Sequence, residues 1–330
     1  MPMKDPPFTI TANMLKLSSE IAETVGKLSG TRLSASPLLR RVNRIRTIQG
    51  TLAVEQNSMS IEQVTALLEG RHVLAPPSEI TEVLNAYAVY NALEKLDPYS
   101  VDSLLDAHAA MMRSLIDEAG EFRSRSVGVA DQNGNILHVG TLPRYVPESV
   151  ERLLAWVRES ELPMLIKSCV FHYEFELIHP FADGNGRMGR LWHTLLLSTW
   201  NPLFAWLPVE SVIYQRQQEY YNAINTANLE GESTAFILFM LSAIQSALQE
   251  ATEEKDKPLG KNAQNALLRH RFVMDYLSAH EYIRNADVCE ELGVSSATAN
   301  RLLTELCRDN TLRRERIGKL WVYVPADRSR

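Results

Sequence analysis

The sequence predicts a mainly α-helical protein with more than one domain. Apolar residues recur at helical spacing along most of the chain, whereas β-hairpin signals occur only near residues 127–139 and 311–324. A chain of 330 residues exceeds one average domain, and 45% apolar with 22% charged residues is ordinary globular composition. We therefore expect a helical core that carries a small hairpin, followed by a second, smaller domain.

The composition argues against several classes of protein. A net charge of −6 disfavours a general nucleic-acid binder, although residues 260–330 hold 12 Lys/Arg against 9 Asp/Glu. The cysteines, Cys169, Cys289 and Cys307, show no CxxC spacing, so neither a disulfide framework nor a zinc site is expected. The N-terminus lacks the apolar core of a signal peptide, and we find no apolar run of membrane-spanning length. These features predict a soluble, cytoplasmic protein without a membrane partner.

The first elements are predicted to be helices. Met14–Leu28 has helical spacing, with Leu15, Ile21 and Leu28 on one side. Pro37–Ile48 is expected to be amphipathic with a solvated arginine-rich face, and nucleic-acid contact is the alternative. Ser60 can cap the helix after it, and further helices are predicted over Ile80–Leu96 and Val101–Leu115.

The middle of the chain begins with a hairpin. Two apolar runs flank the turn signal Asp131–Gly134, and the edge of such a hairpin can hold a target segment by strand addition. A purely structural hairpin is the alternative. Further helices are predicted over Val150–Glu159, Met164–Ile178, Glu210–Asn225 and Phe236–Leu248.

Residues 179–190 read His-Pro-Phe-Ala-Asp-Gly-Asn-Gly-Arg-Met-Gly-Arg, and an apolar run follows them. The glycines thus lie at a loop-to-helix junction, where unpaired backbone N–H groups attract anions. Arg187 and Arg190 share one helix face and can grip a polyphosphate. Asp183 offers hard oxygens to a phosphate-bound Mg²⁺, and His179 can deprotonate a hydroxyl near neutral pH. Each feature alone has a structural explanation, but their combination predicts a phosphate-transfer site.

The pattern His-Pro-Phe-x-Asp-Gly-Asn-Gly-Arg-x-x-Arg resembles the signature of the Fic family, whose members mostly transfer AMP from ATP to a protein hydroxyl. The resemblance implies that His179 is the general base and Asp183 the Mg²⁺ ligand. A Lys replaces Gly186 in the Doc-type relatives that act as kinases, so Gly186 favours nucleotidyl transfer. The residues implied to bind ATP are Gly184, Asn185, Gly186, Arg187, Met188, Gly189, Arg190, Tyr220 and Tyr221; the tyrosine pair is alternatively core.

Two further segments resemble Fic landmarks. Thr51 and Glu55 match the inhibitory helix pattern Ser/Thr-x-x-x-Glu-Gly/Asn, whereas Gln56 departs from it. The resemblance implies that Glu55 competes with the γ-phosphate for Arg190, and that the bulk of Gln56 loosens this inhibition. The segment Gly120–Arg123 resembles the landmark that precedes the hairpin known as the flap.

The C-terminal segment resembles a winged helix, a module often appended to Fic domains. After a predicted helix over Asn262–Ala279, Asn285 can cap a short helix to Leu292, Gly293 turns, and Ser295 or Ser296 caps a helix to Arg308. DNA binding and protein docking both remain open for this module. The predicted wing carries Arg313, Arg314, Arg316 and Lys319.

We interpret the chain as a helical Fic core with a flap hairpin and a C-terminal winged helix. The predicted function is transfer of AMP from ATP, with Mg²⁺, to a Tyr, Thr or Ser hydroxyl of a protein, itself included, under inhibition by Glu55. The alternatives are removal of AMP, transfer of another nucleotide or phosphocholine, and a nucleotide-responsive regulator that binds DNA. A homodimer is compatible with the sequence. The predicted segments are an N-terminal helical region (1–110), the Fic core (111–248), a linker (249–261) and the winged helix (262–330).

Overall fold

The computed structural model describes residues 5–28, 37–130, 136–256, 269, 272–277, 280–308, 311–318 and 320–326. The chain divides into two compact units, residues 1–256 and 257–330, and each unit has a hydrophobic core of its own. Most of the described residues are helical, which confirms the mainly α prediction.

The first unit contains most of the helices. In chain order they are α1 (Ala12–Leu28), α2 (Pro37–Val54), α3 (Ile61–Leu68), α4 (Pro77–Asn91), α5 (Val101–Met111), α6 (Val146–Glu159), α7 (Met164–Ile178), α8 (Asn185–Trp200), α9 (Val209–Gln215), α10 (Gln217–Glu230) and α11 (Thr234–Asp256). Short 3₁₀ helices cover Leu93–Lys95, Pro143–Tyr145 and Pro202–Ala205.

A two-stranded antiparallel hairpin interrupts this helical unit. It consists of β1 (Gly128–Ala130) and β2 (Ile136–Val139), with Gly128 opposite Val139. The connection 131–135, which carries the predicted turn, lies outside the described residues. The hairpin itself is present as the sequence predicts.

The centre of the first unit is the helix pair α7 and α8. Most residues of α7 are buried on every side, because α6, α8 and α11 pack around it. Aromatic side chains fill this region, among them Phe171, Phe175 and Trp192, which are fully buried. Burial of such large side chains contributes strongly to stability. The loop that joins the two helices is therefore fixed at both of its ends.

Helix α2 differs from its prediction in two ways. It continues to Val54, beyond the expected end at Ile48. Its arginines do not form a solvated face: the Arg44 guanidinium is buried 4.5 Å from the Trp206 ring centroid, and Arg46 pairs with Glu250 at 2.7 Å. An arginine can cover apolar surface with its stem and stack on an aromatic ring, so a charge-rich pattern does not by itself indicate exposure.

Other boundaries also shift. Leu15 was expected on the buried side of α1, but it is 62% exposed, while Met14, Leu17, Ile21 and Val25 are buried. The single helix predicted over Glu210–Asn225 is divided at Arg216 into α9 and α10. Ser60 caps α3 by accepting the N–H of Gln63, as predicted.

Helix α11 corrects two expectations. It extends through Asp256, so residues 249–256 of the predicted linker are helical, and the remainder, 257–261, lies outside the described residues. By length and composition its segment Thr234–Glu253 passes the test for a membrane-spanning helix, contrary to our expectation that no run reaches that length. Its large apolar residues, including Phe236, Met240 and Ile244, are buried in the core. Core helices of folded proteins pass the same test.

In the described part of the second unit, a helical stretch at residues 272–277 precedes helices α12 (Asn285–Leu292) and α13 (Ser296–Arg308). A hairpin of β3 (Leu312–Ile317) and β4 (Leu320–Pro325) follows them. Asn285 was expected to cap α12 but is its first residue, and Arg284 occupies the cap. The turn at Gly293 is left-handed, and Ser295 Oγ accepts the N–H of Thr298 at the start of α13. Of the helix predicted over 262–279, residue 269 and residues 272–277 are helical, and the other residues of that range lie outside the described part of the chain. Lys319 of the predicted wing also lies outside it.

Candidate active site

His179 ends helix α7 in a left-handed conformation, with φ 50° and ψ 63°. Its N–H still donates to the carbonyl of Phe175, so the residue caps the helix. This backbone region is uncommon for a residue with a side chain and persists only where neighbouring groups hold it. The side chain thus leaves the helix at a sharp angle beside the hairpin.

Arg123 is the residue that holds this turn. Its buried guanidinium donates from Nε to the His179 carbonyl at 2.6 Å and from Nη2 to the Ile178 carbonyl at 3.2 Å. It also donates to the carbonyls of Arg125 and Thr141, on either side of the hairpin. The sequence identified Arg123 only as a landmark; the structure makes it the link between the hairpin base and His179.

The His179 imidazole is oriented by a backbone carbonyl. Nδ1 lies 3.3 Å from the carbonyl oxygen of Glu176. Because a carbonyl oxygen only accepts hydrogen bonds, this contact needs a proton on Nδ1, which in the neutral ring leaves the lone pair on Nε2. The structure therefore presents His179 in the tautomer that a general base needs.

The loop after His179 is closed by the side chain of Asn185. Its Oδ1 accepts the Phe181 N–H and its Nδ2 donates to the Phe181 carbonyl, both at 2.9 Å. Since both polar atoms of the Asn185 side chain are bonded to Phe181, we expect Asn185 to contact ATP through its backbone N–H.

His108, which the sequence analysis missed, supports the same loop from below. Its ring stacks on Phe181 at 3.6 Å between centroids, and its Nδ1 accepts the Gly120 N–H at 2.9 Å. Nε2 must then be the donor to the Asp183 carbonyl, 3.0 Å away. Burial lowers the pKa of His108, which favours this neutral form. No sequence signal distinguishes His108 from any buried histidine on a helix.

Gly184 is the N-cap residue of helix α8 and has a left-handed φ of 85°. A Cβ there would lie 2.7 Å from Met112 Sδ, so the position requires glycine for both reasons. The first N–H groups of α8 have no intrahelical acceptors. The predicted anion-binding element therefore lies at a helix N-terminus, where N–H groups and the helix dipole favour an anion.

Arg187 lies in the first turn of α8, and its guanidinium does not use all of its hydrogen-bond donors. Its Nη2 lies 3.1 Å from Asp183 Oδ1 and its Nη1 lies 3.4 Å from Glu82 Oε1. The guanidinium is buried, and its Nε has no hydrogen-bond acceptor in the described part of the chain. An unsatisfied buried donor is costly, so the arrangement favours an incoming anion.

Arg190 is bonded to the end of helix α2. Nε donates to Thr51 Oγ1 at 2.9 Å, and Nη2 donates to the Thr51 carbonyl at 3.0 Å and to Glu55 Oε1 at 2.6 Å. Arg190 is 1% exposed. Burial alone would lower the pKa of Arg190, but the charge and hydrogen bond of Glu55 outweigh it and raise the pKa. The structure therefore brings together the three residues that the sequence analysis placed at the inhibitory contact.

Gly186 makes room for this ion pair. A Cβ at Gly186 would collide with Glu55 Oε1 and would lie 3.0 Å from Arg190 Nη1. A lysine at this position is therefore incompatible with the observed place of Glu55.

The remaining predicted ATP-binding residues pack in the core or against residues next to the site. Tyr220 is buried in the core, where its hydroxyl lies 3.1 Å from His172 Nε2, and Tyr221 donates to the Val54 carbonyl at 3.3 Å. Met188 is also buried in the core, and Gly189 allows close contact with Glu176 and His172. Their contacts with ATP remain predictions.

Asp183 is the candidate metal ligand. Its side chain is 58% exposed at the mouth of the loop, next to the anion-binding N–H groups. No group of three or more His, Cys, Asp or Glu placed to hold a metal occurs among the described residues. A single exposed carboxylate nevertheless fits Mg²⁺, which keeps several waters and binds through one or two carboxylates and the substrate phosphates.

Comparison with known proteins places this site in a family. A sequence model of the Fic/DOC family matches residues 98–197. A crystal structure of a Fic family protein from Desulfovibrio desulfuricans is 38% identical, with a TM-score of 0.74 over 99% of this chain and 100% of that one. The structure of Fic-1 from Caenorhabditis elegans, 22% identical with a TM-score of 0.62 over 74% of this chain and 73% of that one, shares the fold.

Curated relatives carry the name protein adenylyltransferase. The fic-1 protein of C. elegans is 31% identical over 234 residues, which are 66% of this chain and 43% of the relative. The Fic protein of Nematostella vectensis is 26% identical over 239 residues, which are 68% of this chain and 53% of the relative. The chain thus spans about half the length of these relatives.

Proposed function

The chain belongs to the Fic family, and we propose that it transfers AMP from ATP to a Tyr, Thr or Ser hydroxyl of a protein, including its own. The observation that carries this proposal is the joint geometry of residues 179–190. A histidine whose Nδ1 faces a backbone carbonyl, a helix N-terminus and two buried arginines converge on one loop. This combination supplies a base and a phosphate cradle at one place.

In the proposed reaction, the target hydroxyl loses its proton to Nε2 of His179. Its oxygen then forms a bond to the α-phosphorus of ATP, and the bond from that phosphorus to the bridging oxygen breaks, so that pyrophosphate leaves. Positioning and charge neutralisation supply most of the rate enhancement in such transfers. Arg123 contributes indirectly, because it holds the backbone of the base.

The phosphates are bound by the start of α8 and by Arg187, whose incomplete hydrogen bonding favours an anion. Asp183 would hold Mg²⁺, which neutralises phosphate charge when bound. Arg190 takes the γ-phosphate once its contact with Glu55 is broken.

Autoinhibition by Glu55 is part of the proposal. Its carboxylate occupies the Nη2 donor of Arg190 at 2.6 Å, and a phosphate oxygen needs the same guanidinium. The triphosphate then binds with its γ end displaced and its α-phosphorus out of line. The resting enzyme is therefore weakly active.

Two reactions of the same class are the alternatives for this site: removal of AMP, and transfer of another nucleotide or phosphocholine. The fit of Gly186 against Glu55 supports the inhibited nucleotidyl transferase over a kinase. A nucleotide-responsive regulator without transfer activity is the alternative from a different class.

For the second unit we propose a winged helix that contacts DNA. The supporting observation is on the hairpin, where Arg314 lies 4.2 Å and Arg316 5.9 Å from the ring centroid of Trp321, which is 51% exposed. Arginines stacked on an exposed aromatic ring form a surface suited to a phosphate backbone and bases. Protein docking is the competing role. We also propose a cytoplasmic location. A homodimer is a further possibility, which measurement of the molecular mass in solution would test.

The test uses ATP labelled at the α-phosphorus and, in parallel, at the γ-phosphorus. We expect the Glu55→Gly variant to label itself and proteins of a lysate from the α-labelled nucleotide only. Adding His179→Ala should abolish labelling while ATP binding is retained, because the phosphate contacts come from other residues. His72→Ala, which changes an exposed histidine, is the matched control.

Labelling from the γ-position would indicate a kinase. Binding of ATP without labelling from either position would favour the pure regulator.

A further inference from the structure

The turn that carries Glu55 is not favourable by itself. After α2 the chain reverses through residues 55–58, with Gln56 N–H donating to Ala53 and Asn57 N–H to Leu52. Gln56 adopts a left-handed φ of 69°, which is unfavourable for residues other than glycine. A turn with this conformation needs contacts from outside to hold it.

Two sets of contacts hold this turn, one on each side of Glu55. Before it, the Val54 carbonyl accepts hydrogen bonds from Gln217 Nε2 at 2.9 Å and from the Tyr221 hydroxyl. After it, Asn57 Nδ2 donates to Glu82 Oε2 at 2.8 Å. The Ser58 N–H and Oγ both donate to Glu79 Oε2, at 2.9 and 2.8 Å.

Glu79 and Glu82 lie three residues apart on α4, so they present their carboxylates on one helix face. The bond from Asn57 to Glu82 is charge-assisted and therefore stronger than a neutral one. The second oxygen of Glu82 faces Arg187 Nη1 at 3.4 Å. One carboxylate thus joins the turn of Glu55 to the first arginine of the phosphate site.

We propose that Glu82, acting through Asn57, is a positioning residue that keeps Glu55 on Arg190. The inference rests on the proposed autoinhibition by Glu55. Without the Asn57–Glu82 bond, the left-handed turn loses one of its two side-chain anchors on α4, and the population with Glu55 released rises. Glu82 also faces Arg187. An anion that binds Arg187 therefore competes with the Glu82 carboxylate, which in its present position also holds the turn of Glu55 through Asn57.

The experiment compares Asn57→Ala, Glu82→Ala and Glu82→Gln in the full chain. Glu94→Ala, which removes an exposed carboxylate beyond α4, is the control. The first readout is amide hydrogen exchange of residues 55–58, with α7 and α8 as internal references for the fold. The second readout is AMP transfer, measured in the wild-type and Glu55→Gly backgrounds.

We expect Asn57→Ala and Glu82→Ala to speed exchange of residues 55–58 about tenfold and to raise AMP transfer by a similar factor. Glu82→Gln should retain slow exchange, since its amide oxygen can accept the Asn57 bond. In the Glu55→Gly background, Asn57→Ala should change AMP transfer little, because there is no carboxylate left to release. A merely structural role would lower activity in both backgrounds.

Unchanged exchange of residues 55–58 in both alanine variants would overturn the proposal, whatever the activities are. Faster exchange without higher AMP transfer would support the anchor and contradict autoinhibition by Glu55. Faster exchange that extends through α7 and α8 would show that Glu82 supports the whole fold, and would also overturn the specific role.

Discussion

Arg190 donates from Nη2 to Glu55 Oε1 over 2.6 Å, and the two residues lie 135 positions apart in the chain. The guanidinium is buried, and its Nε and Nη2 are both directed at the end of helix α2. Its Nη1 faces Gly186 at the start of α8. One side chain thus connects the end of helix α2 in the N-terminal region to the start of α8.

Glu55→Gly is expected to raise AMP transfer on the order of 10²-fold, because a displaced α-phosphorus costs about that much in rate. The measurement is the rate of self-labelling with α-labelled ATP at matched protein concentration. Glu62→Gly, a change of an exposed carboxylate on the next helix, is the control. Equal rates for Glu55→Gly and wild type would mean that the contact between Glu55 and Arg190 does not inhibit transfer.

Gln56→Gly is expected to lower basal AMP transfer about fivefold, since relief of a left-handed side-chain conformation is worth about 1 kcal/mol. The resemblance to the inhibitory helix pattern predicts that the bulk of Gln56 loosens the inhibition. The structure gives a different physical reason, because Gln56 is exposed and its φ is 69°. Gln56→Ala retains the conformational penalty and should match wild type. A basal rate for Gln56→Gly at or above wild type would contradict this explanation.

Arg123→Ala in the Glu55→Gly background is expected to lower kcat at least tenfold while the affinity for ATP stays unchanged, because Arg123 contacts the backbone of His179 and no phosphate-binding group. Millimolar guanidinium chloride should restore part of the activity, and sodium chloride at equal ionic strength should not. Arg125→Ala, an exposed neighbour, is the control. Loss of ATP affinity without rescue would indicate a general structural defect.

Glu176→Gln should change the pH dependence of stability. Burial raises the pKa of Glu176 from 4.5 to about 7, and this exceeds the opposing effect of Arg190. Since the folded-state pKa lies above the unfolded value, the stabilisation by its proton is present below pH 4.5 and is lost as the pH rises through 7.

The free energy of unfolding of Glu176→Gln relative to wild type should therefore increase by up to about 3 kcal/mol between pH 4.5 and 8. Chemical denaturation at both pH values measures it, with the exposed Glu159→Gln as control. A pH-independent difference would show that Glu176 is ionised throughout this range.

The full chain is expected to bind DNA weakly, with an affinity that falls steeply as salt rises. Replacing both Arg314 and Arg316 by alanine should reduce the slope of log affinity against log salt by about 2. Arg158→Ala, on an exposed site of the first unit, should leave the slope unchanged. Absence of any mobility shift at low salt would favour protein docking for the second unit.

Local chemistry made much of the fold and site predictable. Helix α7 spans the predicted Met164–Ile178, and Ser60 and Gly293 act as predicted at helix ends, because caps and apolar periodicity depend on neighbouring residues. The motif 179–190 was recognisable for the same reason, since its base, carboxylate, glycines and arginines lie within twelve consecutive positions.

The sequence by itself therefore determined the helical class and the place of the candidate phosphate site, and its resemblance to Fic proteins indicated the pairing between Glu55 and Arg190. Only the tertiary structure decided that Arg44 is buried against Trp206 and that Arg46 pairs with Glu250. It also decided that His108, Arg123 and Glu82 support the site. These contacts join residues far apart in the chain, and no local pattern encodes which buried polar groups will meet. The packing of the whole core determines their partners, because each buried donor needs an acceptor and the helix arrangement fixes which acceptors lie within reach.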